Sequence, residues 1–249
     1  MRLAGKIVMF AVLFSIMFFF LHAADATRTV IRDDMEDLGG LPWLYSAVCL
    51  IFSILAGFVI QHEWDQWNDF MESIKGEVSS LRSLWLWSQH VPDPGMQLRK
   101  AMSRYLTVTI QHEWRANASG EGEAAGQALA VVQQEASALL QHTELRMTPV
   151  GIIGDLLRHR EHRLHSGQRR MPTILKATVG FADGLVIVLS LFIGVKHLWL
   201  DYLFTLSIAL LAYIVYLVID DLDHPLRPGI WHMTSKPYEH LLAQLQHSS

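Results

Sequence analysis

The sequence has a single cysteine, Cys49, and few charged side chains. One thiol excludes a disulfide framework and any metal site built from several thiolates. Only 18% of the 249 residues are charged, whereas a soluble domain usually carries about 25%. The formal net charge of -4 provides no large basic field, so we expect no nucleic-acid partner. These shortages argue against a disulfide scaffold, an ordinary soluble domain and a nucleic-acid-binding protein.

The chain is instead rich in apolar residues, and these are concentrated in four blocks. Hydrophobic residues make up 51% of the chain, and a block of about 20 apolar residues is long enough to span a bilayer. The blocks predict transmembrane helices at residues 1–24, 43–62, 173–195 and 198–219. We therefore predict an all-α integral membrane protein with about four transmembrane helices in contact with membrane lipid.

The first block permits a second interpretation. Arg2 and Lys6 precede the apolar run, and Ala24 and Ala26 form an Ala-x-Ala pattern after it. This combination is also typical of a cleaved signal peptide. We favour a retained helix, with the signal peptide as the alternative.

Basic residues predict the orientation of the chain. Lys and Arg of short loops stay on the cytoplasmic side, and five arginines precede the third block: Arg158, Arg160, Arg163, Arg169 and Arg170. We expect cytoplasmic N- and C-termini and a periplasmic loop at 25–42, in the inner (plasma) membrane of a bacterium. Residues 63–172 then form a cytoplasmic helical domain, and residues 220–249 form a cytoplasmic tail.

The second block continues into a segment with a heptad pattern. Apolar residues recur at alternating steps of three and four, which places them on one helix stripe: Trp64, Trp67, Met71, Ile74, Val78, Leu81 and Trp85. Since no proline separates this stripe from the block, we predict one continuous helix that leaves the bilayer. The stripe packs either within a bundle of the same chain or at a subunit interface.

Three further helices complete the predicted bundle. The Asp93-Pro94 pair reads as a helix start, and a second helix follows to about residue 116. A polar turn at 117–122 separates it from an Ala-rich helix at about 123–142. Thr148-Pro149 opens the last one. The cytoplasmic domain is therefore predicted to be a helical bundle.

Polar residues inside the apolar blocks are candidate pore or packing residues. Asp183 lies near the middle of the third block, where a charge costs about 2.5 kcal/mol or more. Gly180 and Gly184 flank it and permit close helix packing. Asp183 is either a hydrogen-bonded packing residue or part of a pore or proton path. We group Ser53 and Gly57 of the second block with it as intramembrane candidates.

An acidic cluster follows the fourth block. Its carboxylates belong to Asp220, Asp221 and Asp223, at the helix end where the dipole disfavours negative charge. Arg169, Arg170 and Lys176 lie on the same predicted membrane face and would compensate them. The alternative is a divalent cation such as calcium, which binds carboxylate oxygens. We expect no other cofactor.

Three histidines form a second candidate metal site, at His159, His162 and His165. Their imidazoles are of the type that binds transition metals. Neighbouring arginines repel a cation, however, so we favour a solvated helix face.

Four stretches of the sequence carry a family resemblance. They are residues 57–67 (GFVIQHEWDQW), Glu113-Trp114, the Arg-rich approach to Met171-Pro172, and the tail Asp221-Leu222-Asp223-His224-Pro225 with Lys236-Pro237-Tyr238-Glu239. Over about residues 39–245 the chain resembles a bacterial family of four-helix membrane proteins called bestrophin-like. The resemblance implies kinship to bestrophins, which are oligomeric anion channels with a membrane pore and a helical cytoplasmic vestibule. It also implies a calcium-binding role for the acidic cluster.

The expected function is a homo-oligomeric ion channel that passes small inorganic anions. The alternative is a non-conducting membrane scaffold or sensor whose cytoplasmic domain binds a partner. We expect no enzymatic activity, because the sequence has no nucleophile beside a base, no phosphate loop and no metal triad.

Overall fold

The computed structural model of the protein describes residues 3–23, 40–90, 92–114, 122–140, 147–192 and 197–247. Within these ranges the chain is helical and has no strand, which confirms the predicted all-α class. We number the helices in chain order: α1 (Leu3–Ala23), α2 (Leu41–Ser88), α3 (Pro92–Val108) with a π-helical turn (Thr109–Glu113), α4 (Gly122–Leu140), α5 (Met147–Gln168), α6 (Thr173–Ser190), α7 (Leu198–Leu222) and α8 (Lys236–His247).

Four of these helices are long and apolar enough to cross a membrane. They are α1, α2, α6 and α7, which confirms the predicted number of transmembrane helices. Helix α6 ends at Ser190, five residues before the predicted end of the third block. The Ala-x-Ala pattern and residues 25–39 lie outside the described part of the chain.

Helix α2 confirms the continuous helix predicted from the heptad pattern. It runs for 48 residues from Leu41 to Ser88, because its only proline, Pro42, lies in the first turn, where a missing N–H costs no hydrogen bond. Gly76 inside the helix does not interrupt it. The apolar block and the heptad stripe therefore belong to one element.

The chain divides into two compact units. The membrane unit comprises Met1–Asp65 and Arg170–His232, and the bundle unit comprises Gln66–Arg169 and Met233–Ser249. Each unit has buried side chains of its own.

Small and aromatic side chains hold the membrane unit together. Phe52 and Ala56 of α2 pack with Val186 of α6 and Ala212 of α7. Toward the other end of these helices, a second cluster joins Val59 to three further buried residues: Met171, Val179 and Ile219. Because the lipid is as apolar as these side chains, close packing rather than water exclusion favours their contact.

Helix α1 packs against α7 through apolar and polar contacts. Phe14 and Phe18 are buried beside Ala209. The hydroxyl groups of Ser15 and Tyr202 form a hydrogen bond of 2.8 Å. Where every polar group needs a partner inside the protein, such a bond specifies how two helices align.

The bundle unit has a core of small and branched apolar residues. Helices α3 and α4 pack most extensively, and α8 packs on α3. The fully buried apolar residues include Leu98, Met102 and Leu106 of α3, Val132 and Leu139 of α4, and Leu241 of α8. This core also contains the buried charged side chains of Glu77, Glu113 and Arg163.

Candidate functional site

The membrane half of α2 presents two different exposed stripes. One contains large apolar residues, Ile51, Ile54 and Phe58, which are 65%, 53% and 73% exposed. The other contains Ser53 and Gly57, which are also exposed. A Cβ added at Gly57 would meet no atom within 4 Å. The first stripe suits lipid, and the second offers a smaller and more polar surface.

The polar stripe extends by one helical step on each side. Ser46 and Gln61 are exposed and follow the same three- and four-residue spacing, with Leu50 between the serines. Ser46 and Ser53 donate their hydroxyls to the carbonyl four residues earlier, at 2.8 and 2.7 Å. Both serines are thus tolerated in lipid, although each retains acceptor capacity toward water.

Asp183 lies on the buried face of α6, whereas Ser53 and Gly57 lie on an exposed stripe of α2. The residue is 7% exposed and shares its face with Val179 and Val186. Its Oδ1 atom has no hydrogen-bond partner among the described residues. The structure therefore does not bring the three intramembrane candidates together, and the role of Asp183 stays a prediction.

Two of the three clustered aspartates pair with a lysine. Lys176 on α6 donates to Oδ1 of Asp220 at 2.8 Å and to Oδ2 of Asp223 at 3.1 Å. The backbone N–H of Met171 donates to the other Asp223 oxygen at 2.7 Å. Lysine compensation of the negative helix end was one of the sequence alternatives, and this geometry provides it. Glu63 of α2 is also buried, at 3% exposed, and its carboxyl group interacts electrostatically with Asp223 and Lys176.

Asp221 has a separate structural role. Its Oδ2 atom accepts the backbone N–H groups of Ile230 at 2.8 Å and Trp231 at 3.2 Å. Gly229 lies so close that a Cβ there would be 1.7 Å from Oδ1 of Asp221. The Asp221 carboxylate therefore fixes the position of the backbone at residues 229–231, after the end of α7.

These pairings do not form a calcium site. Among the described residues, no group of three or more His, Cys, Asp or Glu side chains is arranged to hold a metal ion. Calcium needs six to eight oxygen ligands, whereas Lys176 occupies oxygens of two aspartates and Asp221 binds backbone N–H groups. The carboxylates as placed do not fit the ion, and calcium binding stays a prediction that requires the lysine to move.

The predicted seam on α2 divides into buried and partly exposed positions. Ile74 and Leu81 are 1% and 0% exposed in the bundle unit. Four other seam residues are half-buried: Trp67, Met71, Val78 and Trp85. Trp64 is 38% exposed and meets the Trp231 ring edge to face at 6.2 Å between centroids. The fully buried face is instead centred on Phe70, Ile74, Glu77, Leu81 and Leu84, about one residue away from the predicted stripe.

The bundle unit contains a buried network of ion pairs. Arg163 of α5 donates from Nε to Oε2 of Glu77 and from Nη2 to Oε2 of Glu113, both at 2.6 Å. Arg160 donates to the other Glu113 oxygen at 2.5 Å. The Tyr105 hydroxyl donates to Oε1 of Glu77, also at 2.5 Å. Four helical segments thus meet through charge-assisted hydrogen bonds, the stronger kind.

Aromatic rings complete the surroundings of Arg163. Its guanidinium carbon lies 5.9 Å from the Trp114 ring centroid and 5.7 Å from that of Tyr238. Burial alone would lower the pKa of the guanidinium, but the neighbouring carboxylates, Glu77 foremost, hold it well above its ordinary value. Burial raises the pKa of Tyr105, and the adjacent Glu77 carboxylate raises it further. The arginine is therefore charged and the tyrosine neutral at any physiological pH.

The sequence of this chain matches a known protein family. The family model described as the Bestrophin-like domain matches residues 8–227. The chain belongs to the bestrophin-like family. No curated protein sequence matches it significantly.

Solved bestrophin structures share the fold at low sequence identity. A variant of a bacterial bestrophin homologue from Klebsiella pneumoniae has a TM-score of 0.76 at 15% identity, covering 97% of this chain and 99% of that one. Another structure of a bestrophin homologue from the same organism has a TM-score of 0.71 at 13% identity, covering 99% and 98%. The bestrophin fold therefore extends over at least 97% of the chain, while identity this low says nothing about individual side chains.

The buried contacts of Arg163 in this bestrophin-like chain were only partly predictable from the sequence. The resemblance pointed to Glu113-Trp114 and to Tyr238, and the structure gathers all three around Arg163. Glu77 was not recognised, although it interrupts an apolar helix face with Ile74 and Leu81. An acidic residue on such a face requires a buried cation, and that signal was present in the sequence.

Proposed function

We propose that the protein is a homo-oligomeric ion channel whose α2 helices line a central axis. The family membership and the fold of solved bestrophin homologues support this function. The observation that carries the proposal is the polar stripe of Ser53 and Gly57 beside a separate apolar stripe on the same helix. A helix with lipid on one side and a water-filled axis on the other requires two such surfaces.

The proposed channel passes small inorganic anions, as the kinship to bestrophins implies. We place it in the bacterial inner membrane with both termini in the cytoplasm, because the arginines before residue 173 stay on the cytoplasmic side. The bundle unit then faces the cytoplasm as a vestibule. We propose no catalytic role.

Ionic current through planar bilayers containing the purified protein tests conduction. Gly57→Leu is the informative variant. A Cβ at Gly57 would meet no atom within 4 Å, so we expect the variant protein to fold. We expect its unitary conductance to fall several-fold if this stripe lines the pore. Ile54→Phe, on the neighbouring apolar stripe, is the matched control and keeps its conductance.

Two further readouts separate the parts of the proposal. In a chloride gradient, a reversal potential near that of potassium would contradict anion selectivity while preserving the channel. Light scattering of the detergent-solubilised protein measures the number of subunits, and a monomer would contradict a central axis. An intact oligomer without current would favour the alternative, a scaffold or sensor.

A further inference from the structure

Asp183 is a buried acidic side chain in the middle of a membrane-spanning helix. It is 7% exposed and shares the buried face of α6 with Val179 and Val186. Its Oδ1 atom is buried and has no hydrogen-bond partner among the described residues. A carboxylate in such a place is costly unless a cation or water reaches it, so the surroundings of Asp183 decide which of its two forms the packed helices accept.

Apolar contacts enclose Asp183 in both directions along α6. About one turn before it, Val179 belongs to one apolar cluster, and about one turn after it, Val186 belongs to another. The first cluster contains Val59 of α2 and Ile219 of α7, and the second contains Phe52 and Ala56 of α2 and Ala212 of α7. Val215 of α7 packs against both clusters. Asp183 therefore lies where α2, α6 and α7 meet through apolar side chains.

The ionisable side chains of these three helices do not neutralise Asp183. Lys176 of α6 lies seven residues earlier, about 10 Å along the helix axis, and it pairs with two aspartates at the end of α7. His62 of α2 is exposed. The other ionisable side chains near the two clusters are not basic: Tyr45, Cys49 and Glu63 on α2 and Tyr216 on α7. No charged group among the described residues interacts with Asp183.

The neutral and ionised forms of Asp183 therefore place different demands on the helix packing. A neutral carboxyl is a polar group that helices in contact tolerate in a membrane. A carboxylate needs water, and water reaches this position only if α2 or α7 moves away from α6. By linkage, the form with packed helices holds the proton more tightly than a form in which the helices are separated.

We propose that Asp183 is a proton-binding residue that holds α2 against α6 and α7 when neutral and releases this packing when ionised. Ala56 of the second cluster is the neighbour of Gly57 on α2, so a change of packing at Asp183 also moves the polar stripe. The resulting pH dependence of ion conduction rests on the proposed function. The pH dependence of the packing does not.

Thermal unfolding of the full-length protein in detergent at pH 4.5 and pH 8 tests the packing. Asp183→Asn is the informative variant, because its amide stays neutral at both pH values. An aspartate in an unfolded chain loses its proton near pH 4, so wild-type stability should fall as pH rises above that value. All other groups titrate in both proteins. We expect the midpoint of Asp183→Asn to rise relative to that of the wild type by about 5 °C between pH 4.5 and pH 8.

Ser190→Ala is the matched control for this measurement. Ser190 lies on the same face of α6 and is 3% exposed, but its hydroxyl does not titrate. The difference in midpoint between Ser190→Ala and the wild type should be the same at both pH values. A difference between Asp183→Asn and the wild type that is equally independent of pH would overturn the proposal.

Infrared spectroscopy of the wild type reads the protonation directly, and it decides the matter even if Asp183→Asn does not fold. In protein labelled with carbon-13 at the aspartate carboxyl groups, ordinary aspartates are ionised above about pH 5. At pH 5.5 we expect a labelled carbonyl band from a neutral carboxyl group, and a folded Asp183→Asn protein should lack it. Absence of this band from the wild type would overturn the proposal.

Current through planar bilayers at pH 5 and pH 8 separates this inference from the proposed function. The mean wild-type current should differ between the two pH values, and that of Asp183→Asn should not. A wild type without current at either pH would contradict the channel function, and the unfolding and infrared results would still decide the role of Asp183. A pH-dependent current that Asp183→Asn retains unchanged would overturn that role and leave the channel function intact.

Discussion

Removing Arg163 tests whether the buried ion pairs hold the bundle unit together. In Arg163→Met, the side chain that contacts Glu77 and Glu113 at 2.6 Å is replaced by an apolar one of similar length. Glu113 keeps its contact with Arg160. Glu77, whose side chain is 0% exposed, keeps the Tyr105 hydroxyl as a donor. The variant thus leaves one buried carboxylate without a cation.

The expected loss is large because the uncompensated charge cannot reach water. Breaking a buried pair by removing one partner costs about 3–5 kcal/mol. For a chain of this length, about 2–4 °C of thermal midpoint corresponds to each kcal/mol. We therefore expect the midpoint of Arg163→Met to fall by roughly 6–20 °C, measured by circular dichroism of the detergent-solubilised protein.

A double variant separates the charge effect from lost packing. Replacing both partners of a buried pair by apolar residues is often nearly neutral, so Glu77→Leu with Arg163→Met should be more stable than Arg163→Met alone. Arg158→Met, at an exposed pair, is the control and should shift the midpoint little. The reasoning would be refuted if Arg163→Met were as stable as this control, or if the Glu77 change destabilised it further.

Three other perturbations follow from the described contacts. Calcium should leave the thermal midpoint of the wild type unchanged but raise that of Lys176→Met, in which no lysine compensates Asp220 and Asp223. A calcium effect in the wild type would instead favour the calcium site that the family resemblance implies. Gly229→Ala should cost about 1–3 kcal/mol in thermal unfolding, because its Cβ displaces the Asp221 carboxylate from two N–H groups; an unchanged midpoint would contradict this. Burial raises the pKa of Tyr105 and Tyr238, so the folded state holds these protons more tightly than the unfolded state does. That stabilisation is complete below about pH 10 and is lost as pH rises above it; tyrosinate absorbance appearing from these two residues near pH 10 in the folded protein would disagree.

Long-range periodicity made the helices of this protein predictable. The apolar blocks and the uninterrupted heptad pattern of α2 report properties of single elements, which local sequence determines. The exact buried face was harder to predict. Ile74 and Leu81 of the predicted stripe are fully buried, whereas Trp64 and Trp85 stay partly exposed. Glu77 and Leu84, which lie outside the stripe, complete the buried face. Large apolar side chains indicate which surface of a helix is apolar, but which of them become buried depends on the helices that pack against it.

The pairings of charged residues were only partly predictable for the same reason. Lys176 was one of three cations expected near the aspartates, and it pairs with Asp220 and Asp223. Arg163 was considered only as a sign of orientation, because a sequence does not show that α5 brings it to Glu77, 86 positions away. Contacts of that separation depend on topology, which no local pattern contains.

The placement of the resemblance motifs limits what family membership implies for function. Glu113, Trp114 and Tyr238 surround a buried arginine in the bundle unit, and Asp221 and Asp223 fasten backbone segments next to α7. These residues stabilise the fold. None of them lies on the exposed α2 stripe that carries the proposed pore residues Ser53 and Gly57. One motif does reach that stripe, since residues 57–67 include Gly57. The other motifs stabilise the fold, which is why a conductance measurement on α2 variants is more informative about the proposed function than any further motif match.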